Sequence, residues 1–166
     1  MSRLREALDQ IDFVRRYSRE RIETVPQSEW FTIPPGGVTH VAWLVGHLAL
    51  TEYRLCLARL RPRTTEDEGL LPIDSYMKLF GAGSTPGPAS DSPPVAEIRS
   101  ALDRVHARVM GELASYPDAD LDREPLIPHD LFTTRIAALR YAPLHEMIHC
   151  GQIAVIRRML GMKPVW

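Results

Sequence analysis

The chain has 166 residues, of which 45% are hydrophobic and 25% charged, and its net charge is −1. That length suits one domain, residues 1–166, able to bury a real core. The near-neutral balance argues against a nucleic-acid binder. No apolar run approaches the ~18 residues of a transmembrane helix, and the opening Met-Ser-Arg-Leu-Arg-Glu lacks the apolar segment of a secretory signal. A cytoplasmic protein is expected, with Cys56 and Cys150 as reduced, buried thiols and no disulfide. Eighteen of the twenty basic residues are Arg, a bias that base composition explains more readily than carboxylate recognition.

Four long stretches have helical period, and none reads as a strand. The first runs from Ser2, a suitable N-cap, to Val25, with Leu4, Leu8, Ile11, Val14, Tyr17 and Ile22 near one face. Arg15, Arg16, Arg19 and Arg21 alternate with Asp12, Glu20 and Glu23, which predicts a solvated face. A Pro/Gly loop over 26–37 precedes the second helix, Thr39 to Leu60. Its stripe is Val41, Leu44, Leu48, Leu55 and Ala58, and His47 lies at the stripe's edge, facing inward.

Residues 61–94 form a long crossover with an acidic run, a short helix around Ile73–Phe80 and a Gly/Pro-rich stretch. Connections this long often cover sites. The Gly81-Ala82-Gly83 here follows no strand and lacks the ending of a phosphate loop. The third helix is predicted to start at the cap Ser92, with Pro93 in first position. Val95, Ile98, Leu102, Val105, Val109, Leu113 and Tyr116 form its seam, and Pro117 closes it. The fourth runs from Thr134 to Leu160, with Tyr141, Leu144, Ile148, Val155 and Met159 as its apolar stripe. Gly161 is its C′ glycine, and Pro143 should kink or loosen it. Four amphipathic helices with one long crossover between the second and third predict an all-α four-helix bundle.

His145 and His149 are spaced H-x-x-x-H. Four residues of α-helix turn through about 400°, so both rings share one face and can serve one metal. His47 supplies a third imidazole from another helix. His40, His106 and His129 are weaker candidates, at a helix start, beside a seam and in a loop. The string His145-Glu146-Met147-Ile148-His149 fits H-E-x-x-H, but little chain follows it and no strands accompany it, so a zincin fold is not expected. Glu146 is then either a general base or a surface carboxylate. Gln152 shares the histidine face. It could bond a metal-bound water, orient a ligand ring, or serve a helix contact. A tris-imidazole site leaves a dication its full charge and suits Lewis-acid work, without selecting among zinc, nickel and iron.

The segments Val41-Ala42-Trp43-Leu44-Val45-Gly46-His47-Leu48-Ala49 and His145-Glu146-Met147-Ile148-His149-Cys150-Gly151-Gln152-Ile153, with the tail Arg157-Arg158-Met159-Leu160-Gly161, resemble the DinB-like (YfiT-type) superfamily. The resemblance implies a four-helix bundle, often dimeric, with a divalent metal on His47, His145 and His149. It also implies chemistry like that of relatives that transfer small thiols, such as bacillithiol transferases and the mycothiol-dependent maleylpyruvate isomerase. Two readings follow. One is an enzyme activating a low-molecular-weight thiol or a water toward an electrophile that enters past residues 61–94, with Glu146 and Gln152 handling protons and orientation. The other is a non-catalytic metal-binding or dimerising helical domain, presenting the third helix's stripe and Trp166 to a partner.

Overall fold

In the computed structural model, which describes residues 2–165, four long helices pack around one apolar core. They are α1 (Arg3–Glu23), α2 (Val41–Tyr53), α4 (Val95–Leu113) and α5 (Arg135–Met159), while the short α3 (Ile73–Phe80) lies in the crossover. Helix α1 packs on α5 and α4, and α2 packs on α4, α5 and α3. The bundle is therefore all-α. Among the described residues, no helix is long and apolar enough to cross a membrane, and Cys56 and Cys150 are free and buried. Trp166, a candidate contact in the sequence, lies outside the described residues.

Local chemistry sets the helix ends. Ser2 Oγ accepts from the Arg5 amide at 3.2 Å, and Thr134 Oγ1 accepts from the Ala137 amide at 3.3 Å. His40 caps α2, its Nδ1 accepting from the Trp43 amide at 3.0 Å. Ser92 does not cap α4. Pro94 precedes the first helical residue, and no side chain caps that end. The cause is the pair Pro93-Pro94: a residue before proline is pushed out of the helical region, so the helix can begin only beyond it. Tyr116 falls past the end of α4 and packs against the core, its hydroxyl donating to the Leu60 carbonyl at 3.2 Å. Helix α5 runs unbroken through Pro143. Gly161 takes the positive φ, 78°, of a C′ position.

Two faces differ from expectation. On α1, Arg15 and Arg21 are buried, not solvated. Arg15 sits on the stripe Leu8, Ile11, Arg15, Ser18, Ile22, where charge must be met by charge. On α5, the expected stripe points outward: Leu144, Ile148, Val155 and Met159 are 62%, 57%, 55% and 44% exposed. The buried stripe is Ile136, Leu139, Ala142, Glu146, Cys150, Ile153 and Arg157. Its charged members find partners inside the bundle, so polarity alone pointed the wrong way.

Candidate metal centre

Helices α2 and α5 bring three imidazoles to one point. His47 is buried on α2, while His145 and His149 are half-buried on successive turns of α5. One ring nitrogen from each lies within 4.8 Å of the others. The Nε2 atom of His145 is 3.3 Å from that of His47 and 3.2 Å from that of His149. One ion at ~2.0–2.1 Å from tetrahedrally placed nitrogens would set them roughly 3.3–3.4 Å apart.

The protonation pattern makes this a test of fit. His47 donates from Nδ1 to the Phe80 carbonyl at 2.6 Å, and His149 donates from Nδ1 to Gln152 Oε1 at 2.7 Å. Both neutral rings therefore carry a lone pair on Nε2. His145 stands between them and can direct a proton at only one. Burial holds all three below the ordinary imidazole range; His149 adds to the lowering of His47, and His145 is pushed down to about 3 by burial first and then by its two neighbours. Three neutral rings with converging lone pairs fit a divalent cation. Among the described residues no fourth His, Cys or carboxylate joins them, which is the pattern of an open site and not a closed structural one.

The crossover fixes His47 from above. Trp43 stacks on its ring at 4.8 Å and 9°, and Trp43 Nε1 donates to Ser84 Oγ at 2.9 Å. Gly46 allows Phe80 to sit against α2, which delivers the Phe80 carbonyl to His47 Nδ1. On the other side of the site is a cavity of about 300 Å³ lined by His47, His145, Thr51, Tyr141, Arg54 and Arg59 among others. Thr51 Oγ1 lies 3.4 Å from His47 Nε2.

Below the histidines a polar network ties the four long helices together. Arg15 of α1 grips Glu146 of α5 with Nε and Nη2 at 2.9 and 3.0 Å. It also pairs with Glu52 of α2 at 2.8 Å. Glu52 in turn meets His106 Nδ1 of α4 at 2.8 Å, and Ser18 donates to Glu146. Burial would raise the Glu146 carboxyl, but the Arg15 charge and its hydrogen bonds outweigh it and hold the group low. Glu146 is thus neither a surface carboxylate nor placed as a general base: its two oxygens are committed to Arg15 and Ser18. Gln152 is exposed, and its Oε1 accepts from His149 and orients that ring.

Of the other histidines, His40 caps α2 and donates to the Gly87 carbonyl at 2.9 Å, His106 belongs to the network, and His129 stacks on Phe132 at 4.4 Å. None joins the cluster. Sequence reasoning found the three converging rings. It missed the buried network, although Arg15, Glu52 and Glu146 each occupy a stripe position. It also missed the Phe80 carbonyl that accepts from His47 and the Trp43 ring that stacks on it, which no local pattern announces.

Fold and site together define a helical bundle carrying an open three-imidazole group between two of its helices. The model of the DinB superfamily matches residues 10–153, a span holding all three histidines, and the chain belongs to that superfamily. No curated protein matches the chain in sequence.

Proposed function

We propose that the protein is a metal-dependent enzyme in which His47, His145 and His149 hold one divalent ion (zinc, nickel or iron) through Nε2, and that it joins a small-molecule thiol to an electrophile. A related hydrolase or isomerase would use the same site. The observation that supports this best is the set of converging lone pairs on rings whose opposite nitrogens are already engaged. A divalent ion held by neutral ligands keeps its full charge and lowers the pKa of a thiol or water brought to it. Phe80 and Gln152 fix the ring orientations from behind. Thr51 presents its hydroxyl beside His47, where it can bond a ligand. Ala82, from the crossover, lines the same cavity, so the electrophile would enter past residues 61–94. Glu146 anchors α5 to α1 and so holds His145 in place.

The non-catalytic reading loses one of its two expected contacts, because the seam of α4 is buried within the bundle. The apolar face of α5 offers another. Leu144, Met147, Ile148, Val155 and Met159 are exposed along it with Phe13 of α1 beside them. We propose that a second copy covers this face in an antiparallel pairing of α5 about Gly151. Arg158 of one copy would then stand opposite Leu144 of the other, beside Glu6, which lines the same groove. Neither charge has an ion-pair partner among the described residues. The enzymatic reading is tested by a screen of thiol–electrophile pairs: metal-loaded protein should consume thiol, and His149→Ala should not. Equal turnover by the two would refute it.

A further inference from the structure

Arg59 is the group that the proposed chemistry leaves unexplained. Its side chain is buried, at 4% exposure, yet no carboxylate among the described residues pairs with it. Other buried arginines have more partners: Arg21 lies over the Tyr17 ring, donates to the Tyr17 carbonyl and stands 3.8 Å from Glu20. Arg15 holds two glutamates. Arg135 donates to the Glu124 carbonyl and the Tyr116 hydroxyl, and Arg157 to Thr24 and the Lys163 carbonyl. Arg59 donates from Nη1 to the Arg54 carbonyl at 3.0 Å and its guanidinium lies 5.4 Å from the centre of the Phe132 ring, while its Nε is shielded from solvent with no hydrogen-bond partner. Burial, and then the neighbouring Arg54, push its guanidinium down from the usual range. A buried cation left this way costs stability, so a fold retains it only against some gain.

The backbone puts both arginines on one side. Residues 54 and 59 are five apart, and in an α-helix they would point about 140° away from each other. Here α2 ends in a π-helical turn, Arg54–Ala58, whose wider i→i+5 bonding brings such residues into line. Both then line the cavity of about 300 Å³ beside His47 and His145, and no Asp or Glu lines it. That volume is at the small end of ligand pockets.

We propose that this cavity is the subsite for a small carboxylate ligand, held by Arg59 with Arg54 in support, its other end turned toward His47 and His145. Arg15 grips both oxygens of Glu146 through Nε and Nη2 in this same protein, and a guanidinium fork such as that of Arg59 matches two carboxylate oxygens in the same way. A guanidinium fork also suits phosphate, but phosphate sites commonly add a helix N-terminus, and none of the cavity's lining residues stands at one. The proposal rests on the metal reading only for which end of the ligand reacts. The electrophile of the proposed enzyme is then an organic acid.

The test is ligand-observed ¹⁹F NMR on the full chain, with and without zinc, using 4-fluorobenzoate against the neutral 4-fluorobenzamide. The acid should bind at least about tenfold tighter than the amide, and Arg59→Gln should weaken acid binding by at least about tenfold, the loss of a charge-assisted bond. Arg59→Gln should also keep or raise Tm, because it removes a buried charge with no counter-charge. His149→Ala should lose zinc yet still bind the acid, so a failed metal site and a failed carboxylate subsite give different patterns. Equal binding of acid and amide, or acid binding unchanged in Arg59→Gln, would overturn the proposal. If Arg59→Gln does not fold, Arg54→Gln decides: weaker acid binding supports the subsite, and unchanged binding overturns it. Displacement of the acid by inorganic phosphate more readily than by acetate would overturn the carboxylate class.

Discussion

At Gly46, α2 lies close against Phe80 of the crossover. A Cβ there would stand 2.6 Å from Phe80 Cγ and 2.7 Å from both Cδ atoms, well inside the ~3.5–4.0 Å of an ordinary carbon contact. Phe80 cannot yield easily. It is buried, and its ring packs edge-on against Tyr76 at 5.0 Å. Gly46→Ala should therefore push the end of α3 away from α2 and lift the Phe80 carbonyl from His47. Overpacking costs about 1–3 kcal/mol, against which alanine's better helix propensity returns about 1 kcal/mol. The net effect should be a loss of about 0–2 kcal/mol. Gly111 of α4 is the control: it is helical and exposed, and nothing lies within 4 Å of an added Cβ. Gly111→Ala should gain about 0.5–1 kcal/mol. Urea unfolding followed by far-ultraviolet circular dichroism should separate the two variants by about 1–3 kcal/mol. Zinc affinity should fall about 10–100-fold in Gly46→Ala alone, as when a ligand loses its outer hydrogen bond. If Gly46→Ala is stabilised like Gly111→Ala and binds zinc as wild type does, Phe80 does not hold His47 and the reasoning fails.

The acid stability of the chain should depend on Asp67. Burial opposes its ionisation, but hydrogen bonds from Arg61, the Thr64 amide and Tyr53 prevail and hold its carboxyl at about 2, below the usual 3.8. A lowered folded-state pKa gives stability that is present above pH 3.8 and lost as pH falls toward 2. Thermal melts from pH 5 to 2 should show that loss in wild type and a flatter slope in Asp67→Asn; parallel curves would contradict the assignment. At the exposed face of α5, Ile148→Glu should convert a dimer to a monomer by light scattering while leaving the helical signal intact. A monomeric wild type, or a variant that stays dimeric, would remove that pairing.

The bundle was legible because α1, α2 and α4 repeat apolar residues at three and four. The crossover helix Ile73–Phe80 was legible for the same reason. Helix α5 misled because it carries two apolar stripes, and the one with fewer charges faces outward. Glu146 and Arg157 lie on the buried stripe because Arg15, Ser18 and Thr24 wait for them, and those partners come from distant sequence. The histidine pair was readable from its spacing, and His47 from its position on the edge of a stripe. What fixes the rings was not: the Phe80 carbonyl arrives through a loop, and the π-helical turn that aligns Arg54 with Arg59 leaves no periodic mark in a five-residue window.

The central claim is that His47, His145 and His149 bind one ion together. Elemental analysis of tag-free protein after metal loading and desalting, run beside His149→Ala at matched helicity, tests it most directly. The account predicts one equivalent of a divalent metal in the wild type and a small fraction of that in the variant. Equal metal content in both, or none retained by the wild type, would contradict it.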